Sequence, residues 1–280
     1  MSTEIVLITG TSSGFGFAAA IELAKQGYTV IATMRNMQHK QQLTEKAREF
    51  NIEKNLHIIH MDVTNEEHIN EVYKYIEATY GKLDILINNA GYSLGGITEY
   101  LSMENWQEQF DTNLFAVVSV TKAFLPIMRT RKKGKIINIG SISGRIGFPG
   151  LGPYAASKFA LEGFSESLRL ELSPFNIKVS LIEAGSFKTK IWEKGFERIN
   201  LTEKNDYTSL MKTLFEKSSV TAENAGNPDE VIRLILKICK SPNPKLRYYV
   251  GKGIKTLVFL KGILPWSVLE WFIKKNLKYK

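Results

Sequence analysis

The chain has 280 residues, enough for one large domain or two small ones, and its 44% hydrophobic content leaves room for a sizeable core. A single cysteine, Cys239, excludes an internal disulfide and fits a reducing compartment. The net charge of +9 is concentrated at one end: residues 251–280 hold seven lysines against Glu270 alone, so the rest of the chain gives no reason to expect nucleic-acid binding.

The opening "MSTEIVLITG" places an acid, Glu4, before a very short apolar run and does not read as a signal peptide. No window approaches 18 uncharged apolar residues, so no spanning helix is expected. Short β-branched runs at 4–9, 29–34, 56–61, 83–88, 134–139, 177–182 and 246–250 read as strands. Most lack polar alternation, as strands covered on both faces do. Helix-like stretches lie near 15–26, 38–50, 65–80, 102–129 and 153–172. This alternation predicts an α/β fold, a doubly wound parallel sheet of about seven strands in one domain. Residues 184–226 form a long insertion with a helical patch at 206–217, and 251–280 form a basic aromatic C-terminal segment. Cys239, inside "VIRLILKICK", reads as a small core residue.

The first strand runs into "TGTSSGFG". Gly10 permits a tight turn, Gly14 lets the backbone approach a pyrophosphate, and Gly16 lets the next helix pack closely on the strand. Ser12, Ser13 and Phe15 lie within the same loop. A strand before the loop and an amphipathic helix after it supply the context of a Rossmann-type dinucleotide site. An acid near position 34 would mark NAD by binding the ribose 2′-hydroxyl. Met34 stands there, and Arg35 follows, able to grip a 2′-phosphate in a bidentate way. NADP(H) is the expected cofactor.

From about residue 4 to 190 the chain closely resembles the short-chain dehydrogenase/reductase family, in the type with three residues between its first two glycines. The resemblance rests on "TGTSSGFG" (9–16), "DVT" (62–64), "NNAG" (88–91), "DTN" ending at Asn113, "GSIS" with Ser141, and "YAASK" (154–158), in that order. It implies that Asp62 and Val63 contact the adenine end, with helix initiation as the other reading of Asp62. It also implies that Asn88 supports the sheet while the Ala90–Gly91 backbone lies along the cofactor; Asn89, Ala90 and Gly91 are cofactor-side candidates, with a structural role as the other reading of Asn89 and Gly91. Asn113 would hold a water in a proton relay, and Ser141, rather than its neighbour Ser143, would orient the substrate oxygen. The family carries Pro-Gly after the sixth strand; here Ala184 takes the proline position, which should loosen the turn. Gly185, Phe187 and Thr189 fall in the segment expected to touch the nicotinamide end.

Tyr154 and Lys158 stand one helical turn apart, just after Pro153, which suits a first helical turn. A free phenol has a pKa of about 10, too high for an efficient base near neutrality. An adjacent ammonium favours the phenolate. The pair therefore reads as an acid/base beside a reacting carbonyl or alcohol, with Lys158 also reaching the nicotinamide ribose. His39, His57, His60 and His68 show no metal-ligand spacing, and no metal is assigned.

Phe187, Ile191, Trp192, Phe196, Leu210, Met211, Leu214 and Phe215 either line an apolar pocket or form the core of a helical lid. The C-terminal segment, with Trp266 and Trp271 among lysines, either caps that pocket or lies on an anionic membrane surface. Similar tails in the family suggest a lipophilic substrate. The expectation is thus a cytoplasmic NADP(H)-dependent oxidoreductase, with peripheral membrane contact left open. The rival is a catalytically silent NADP(H)-binding regulator on the same fold; an epimerase or dehydratase of the extended type is disfavoured by the glycine spacing. Pairing through 102–129 and 153–172 would give a homodimer or homotetramer, unless the C-terminal segment blocks it.

Overall fold

A strand that is apolar at every position must be covered on both faces. Strand β1 (Ile5–Ile8) meets that demand in the computed structural model, which describes residues 3–189 and 206–277. Val6 and Ile8 enter one apolar layer; Ile5 and Leu7 enter the other. The described chain continues through α1 (Gly14–Lys25), β2 (Thr29–Met34), α2 (Lys40–Glu49), β3 (Leu56–His60), α3 (Glu66–Tyr80) and β4 (Ile85–Asn88). Next come α4 (Met103–Phe110), a π-helical turn (Asp111–Phe115), α5 (Ala116–Thr130), β5 (Gly134–Ile139), α6 (Gly152–Glu171) and β6 (Ile177–Ala184). It closes with α7 (Thr208–Glu223), α8 (Asp229–Lys240), β7 (Arg247–Val250), α9 (Ile254–Ile263) and α10 (Trp266–Leu277).

All seven strands are parallel, in the order β3-β2-β1-β4-β5-β6-β7. Helices α1, α2 and α8 supply Ala19, Ala20, Leu23, Leu43, Val231 and Ile235 to one layer. Helices α3, α5 and α6 supply Val72, Ile76, Val120, Phe124 and Leu168 to the other. The small side chains of α1 let it sit close to the sheet. The expected doubly wound Rossmann-type sheet is what forms.

Two features differ from the sequence expectation. The helical run Met103–Thr130 is long and apolar enough to cross a membrane by length and composition. Its Val117, Val120, Phe124, Ile127 and Met128 are nevertheless buried, so one face of the run packs into the protein. Helices α8, α9 and α10 were not marked by strand-helix alternation. In α8 the apolar residues Val231, Ile235 and Ile238 recur at helical spacing and are fully buried.

The amino-terminal edge of the sheet is tied together by Asp84, just before β4. Its Oδ2 accepts from the Ile5 N–H at 2.9 Å and its Oδ1 from Arg131 at 3.0 Å, with Lys82 3.4 Å away. Its carbonyl accepts from Lys135 N–H at 2.9 Å. Burial works against the ionised form, but these donors and the two cations outweigh it and hold the carboxyl below its ordinary range. The stabilisation is therefore present above the ordinary carboxyl pKa and is lost as pH falls through the lowered value. Asp84→Ala is expected to cost about 3 kcal/mol at neutral pH, the loss typical of breaking a buried pair. Urea denaturation measures it, and the deficit should shrink in acid.

Candidate active site

The chain runs outward from β1 to β3 and then returns to β4, so a crevice opens between the carboxyl ends of β1 and β4. Gly10 has φ +70°, and a Cβ there would stand 2.7 Å from the Ala90 Cα. The two backbones touch because position 10 has no side chain. Asn89 fixes the contact: its Nδ2 donates to the carbonyls of Thr9 at 2.8 Å and Gly10 at 2.9 Å. In return the N–H groups of Asn89 and Ala90 donate to Thr9 Oγ1, each at 3.0 Å.

Gly10, Ser12, Ser13, Gly14 and Phe15 line the cleft. Gly16 does not. It is buried beneath the loop, where any side chain would collide with the Asn89 amide and the Gly10 carbonyl. Its part is to let α1 close on the loop, rather than to touch a ligand. Ser13 starts α1 in extended backbone, its side chain forms no capping bond, and the first turn holds no acid. The leading N–H groups of α1 and its positive dipole end are thus available to an anion. A glycine cradle and an uncapped helix start are features that suit a dinucleotide pyrophosphate, so the residues fit that group.

At the end of β2, Met34 packs into the apolar layer, while Arg35 lines the cleft and is largely exposed. Position 34 therefore cannot present a group to a ribose in this register. The Arg35 Nε lies 3.9 Å from the Asp62 carboxylate. Asp62 accepts from Thr64 N–H at 3.0 Å and Thr64 Oγ1 at 2.8 Å. Burial raises the Asp62 pKa, but the Thr64 bonds and the Arg35 and His68 charges prevail and lower it. Helix α3 is capped by Asn65, which accepts from His68 N–H at 3.1 Å; Asp62 and Val63 instead line the cleft with Ala90 and Gly91. Asn88 stays in the sheet, donating to Asn138 at 2.9 Å and Thr121 at 3.2 Å.

Across the cleft, α6 begins with Pro153 in its first turn and presents Tyr154 and Lys158 on one face. Both are buried. Ser141, just after β5, lines the cleft with Tyr154, and its Oγ accepts from Ser143 N–H at 3.1 Å. Lys158 Nζ donates to the Ile139 carbonyl at 2.9 Å and lies 5.9 Å from the Tyr154 ring centre. The expected lowering of the phenol does not emerge: burial pushes Tyr154 up, and the Ser141 hydroxyl offsets only part of this. Burial also lowers Lys158, to about 8.

Asn113 lies in the π-helical turn between α4 and α5 and is buried. Its Oδ1 accepts from Tyr92 N–H at 3.1 Å, and its Nδ2 donates to the Tyr92 carbonyl at 2.9 Å and to Ser157 Oγ at 3.3 Å. Those bonds fix the Tyr92 loop segment against α6. The side chain does not line the cleft, so its geometry is that of a clamp. A π turn leaves no hydropathy signature, which is why 102–129 reads as a single helix.

The missing proline does not loosen the end of β6. Ala184 extends the strand and pairs with Val250, and Gly185 N–H donates to the Val250 carbonyl at 2.9 Å. Gly185 and Phe187 line the cleft, Phe187 stacks edge-on to Phe15 at 5.7 Å, and Thr189 faces Gly14. The whole cleft encloses about 1310 Å³. Its far end is walled by Ile146, Phe148, Leu214, Ile254, Leu257 and Leu269. Met211 is buried and Phe215 is exposed; Ile191, Trp192 and Phe196 lie outside the described residues. The C-terminal wall was legible only as an aromatic segment, since which helix face turns inward depends on packing.

Residues 4–200 match the short chain dehydrogenase family. Uncharacterized oxidoreductase YusZ of Bacillus subtilis is 44% identical over 280 residues, covering 99% of both chains. The 3-ketodihydrosphingosine reductase of Bacteroides thetaiotaomicron is 37% identical, covering 98% of both. Human retinol dehydrogenase 8 is 37% identical, covering 92% of this chain and 85% of its own. Among solved structures, a short-chain dehydrogenase from Streptomyces avermitilis has a TM-score of 0.79 at 30% identity, covering 99% of this chain and 98% of its own. ElxO with NADP bound has a TM-score of 0.76 at 26% identity, covering 91% of this chain and 100% of its own.

One turn beyond Lys158 lies a buried acid pair, Glu162 of α6 and Glu183 of β6. A glutamate after the apolar "LI" of "VSLIEA", a stretch otherwise free of charge, was its only sequence signal. Arg247 Nε stands 3.0 Å from Glu162 and 3.3 Å from Glu183, with Arg145 at 3.7 and 4.0 Å. Burial and then repulsion by Glu162 push the Glu183 carboxyl up to about 8, against the pull of Arg145 and Arg247. The folded protein thus holds a proton that the unfolded chain releases at an ordinary carboxyl pKa. Stability should fall as pH rises from that ordinary value through about 8. Glu183→Gln, neutral throughout, is expected to flatten this decline in thermal melts, by several degrees between pH about 5 and about 9.

Proposed function

The chain belongs to the short-chain dehydrogenase/reductase family, whose members are NAD(P)-dependent oxidoreductases, and on that premise we propose that it is an NADP(H)-dependent reductase of lipophilic carbonyl compounds. The observation that carries this reading is that Ser141, Tyr154 and, one helical turn on, Lys158 line the same cleft that the glycine loop borders. The bound nicotinamide supplies the hydride; the protein must supply the proton and hold the substrate oxygen.

Tyr154 is the acid. Burial keeps its phenol protonated, which is the form needed to donate a proton to an alkoxide. Ser141 orients the substrate oxygen toward that phenol and stabilises its developing charge. Lys158, anchored on the Ile139 carbonyl, holds the ribose side and offsets the charge left when the phenol gives up its proton. Asn113 keeps the floor of the site rigid by joining the Tyr92 segment to α6. Arg35 favours NADP(H), because a solvent-facing guanidinium that lines the cleft next to Asp62 can take a 2′-phosphate. The apolar wall favours a lipophilic substrate, in keeping with two relatives named for 3-ketodihydrosphingosine and retinol. With NADPH as the reduced pool of cells, reduction is the working direction.

NADPH oxidation against a panel of aldehydes, steroids, retinoids and long-chain ketones tests the reading. Tyr154→Phe should lower kcat by about 10³ while leaving NADPH affinity nearly unchanged. The wild-type reduction rate should fall as pH rises past about 8, where Lys158 loses its charge. Cofactor binding without turnover of any carbonyl, and no effect of Tyr154→Phe, would instead identify a silent regulator.

Arg35→Asp should weaken NADPH binding by about 100-fold and shift preference toward NADH, since the substitution exchanges a phosphate partner for a repelling charge. Fluorescence titration with both dinucleotides measures the change. Unaltered NADPH affinity would remove Arg35 from the cofactor assignment.

A further inference from the structure

We propose that the α9–α10 pair docks on an anionic lipid bilayer and that the substrate enters the cleft from that bilayer past Phe272. This rests on the reading of a lipophilic substrate. Each helix turns one side to the cavity: Ile254 and Leu257 from α9, and Leu269, Ile273 and Leu277 from α10. Each exposes apolar side chains on the opposite side. In α9 these are Phe259 and Ile263, four residues apart, 65% and 60% exposed. In α10 the exposed apolar residues Val268, Trp271 and Phe272 stand at i, i+3 and i+4, and Lys275 at i+7 continues the same stripe. Trp266, at the start of α10, is 55% exposed. Leaving so many aromatic and branched side chains in water on two short helices is unfavourable unless something apolar covers them.

Charge selects the occupant. Lys252, Lys255, Lys274 and Lys275 are exposed in this segment, against Glu270, which pairs with Lys274 at 2.7 Å. Lys275 sits 4.8 Å over the Trp271 ring, the amphipathic arrangement of an interfacial anchor. A second copy of the same cationic face would be repelled, whereas anionic headgroups attract it. Continuity supplies the route. Phe272 lines the cavity and is also 49% exposed, so at that position one side chain separates the pocket from the outer face. A substrate dissolved in the bilayer reaches Tyr154 by displacing that ring, without crossing water.

The test uses the full chain with phosphatidylcholine vesicles, with and without about 30 mol% phosphatidylglycerol. Co-sedimentation should be at least about tenfold greater with phosphatidylglycerol and should fall severalfold at high salt. The double variant Phe259→Ser/Trp271→Ser, which leaves the cavity lining intact, should bind these vesicles about tenfold more weakly. It should reduce a small water-soluble ketone at the wild-type rate and a vesicle-borne long-chain ketone about tenfold more slowly. Sedimentation no greater than without vesicles overturns the proposal, as does binding that the double variant retains. A dimer that the double variant dissociates, without vesicle binding, assigns the face to a second copy and also overturns it. Vesicle binding with no turnover of either ketone would refute the reductase reading while leaving the docking surface in place.

Discussion

A parallel sheet covered on both faces has one edge at which every strand ends, and function in this protein is confined to that edge. The alternation of Val6 and Ile8 with Ile5 and Leu7 obliges helices to cover both sides of the sheet. The crossovers then force each strand to run the same way. The loops after β1, β2, β3, β4, β5 and β6 consequently meet along one cleft. At its base the backbones of Gly10 and Ala90 touch, a contact fixed by the Asn89 amide. The glycine turn, the Asp62–Arg35 pair and the Ser141–Tyr154 pair are all positioned relative to it.

Burial sets the chemistry of the site. It favours the neutral forms of both Tyr154 and Lys158, raising one pKa and lowering the other. A phenol kept protonated suits proton donation, and a lysine tethered to the Ile139 carbonyl keeps its place near the ring in either charge state. The same balance recurs behind the site, where Glu183 and Glu162 share two arginines. There the low dielectric makes two adjacent carboxylates too costly to ionise together. These groups link β6, α6 and β7 to the loop that follows Ser141, so the support of the site is itself electrostatic.

The apolar end of the cleft has a different origin. Two short helices close it, and each is apolar on both the cavity side and the outer side. Helices that must line a pocket and also face water normally keep a polar outer side. Their outer aromatics and lysines join the chemistry of the pocket to that of an interface, which is why the substrate class and the docking surface are one question.

The strands, their parallel order of alternation with helices, the glycine loop and the Tyr154–Lys158 spacing were all legible in the sequence, because each follows from local periodicity or from residues a few positions apart. Asn88 was likewise placed correctly as a support of the sheet. The inward turn of Met34, the burial of Gly16 under Asn89, the clamp made by Asn113 from a π turn, and the Glu162–Glu183 pair were decided by tertiary structure alone. So were the helices of 251–280 and the side each presents to the cavity. In every such case the partner lies far along the chain, or the backbone departs from regular helix geometry. One-dimensional order fixes which residues can share an element; only three-dimensional packing fixes the low-dielectric surroundings that set their charge and the neighbours they touch.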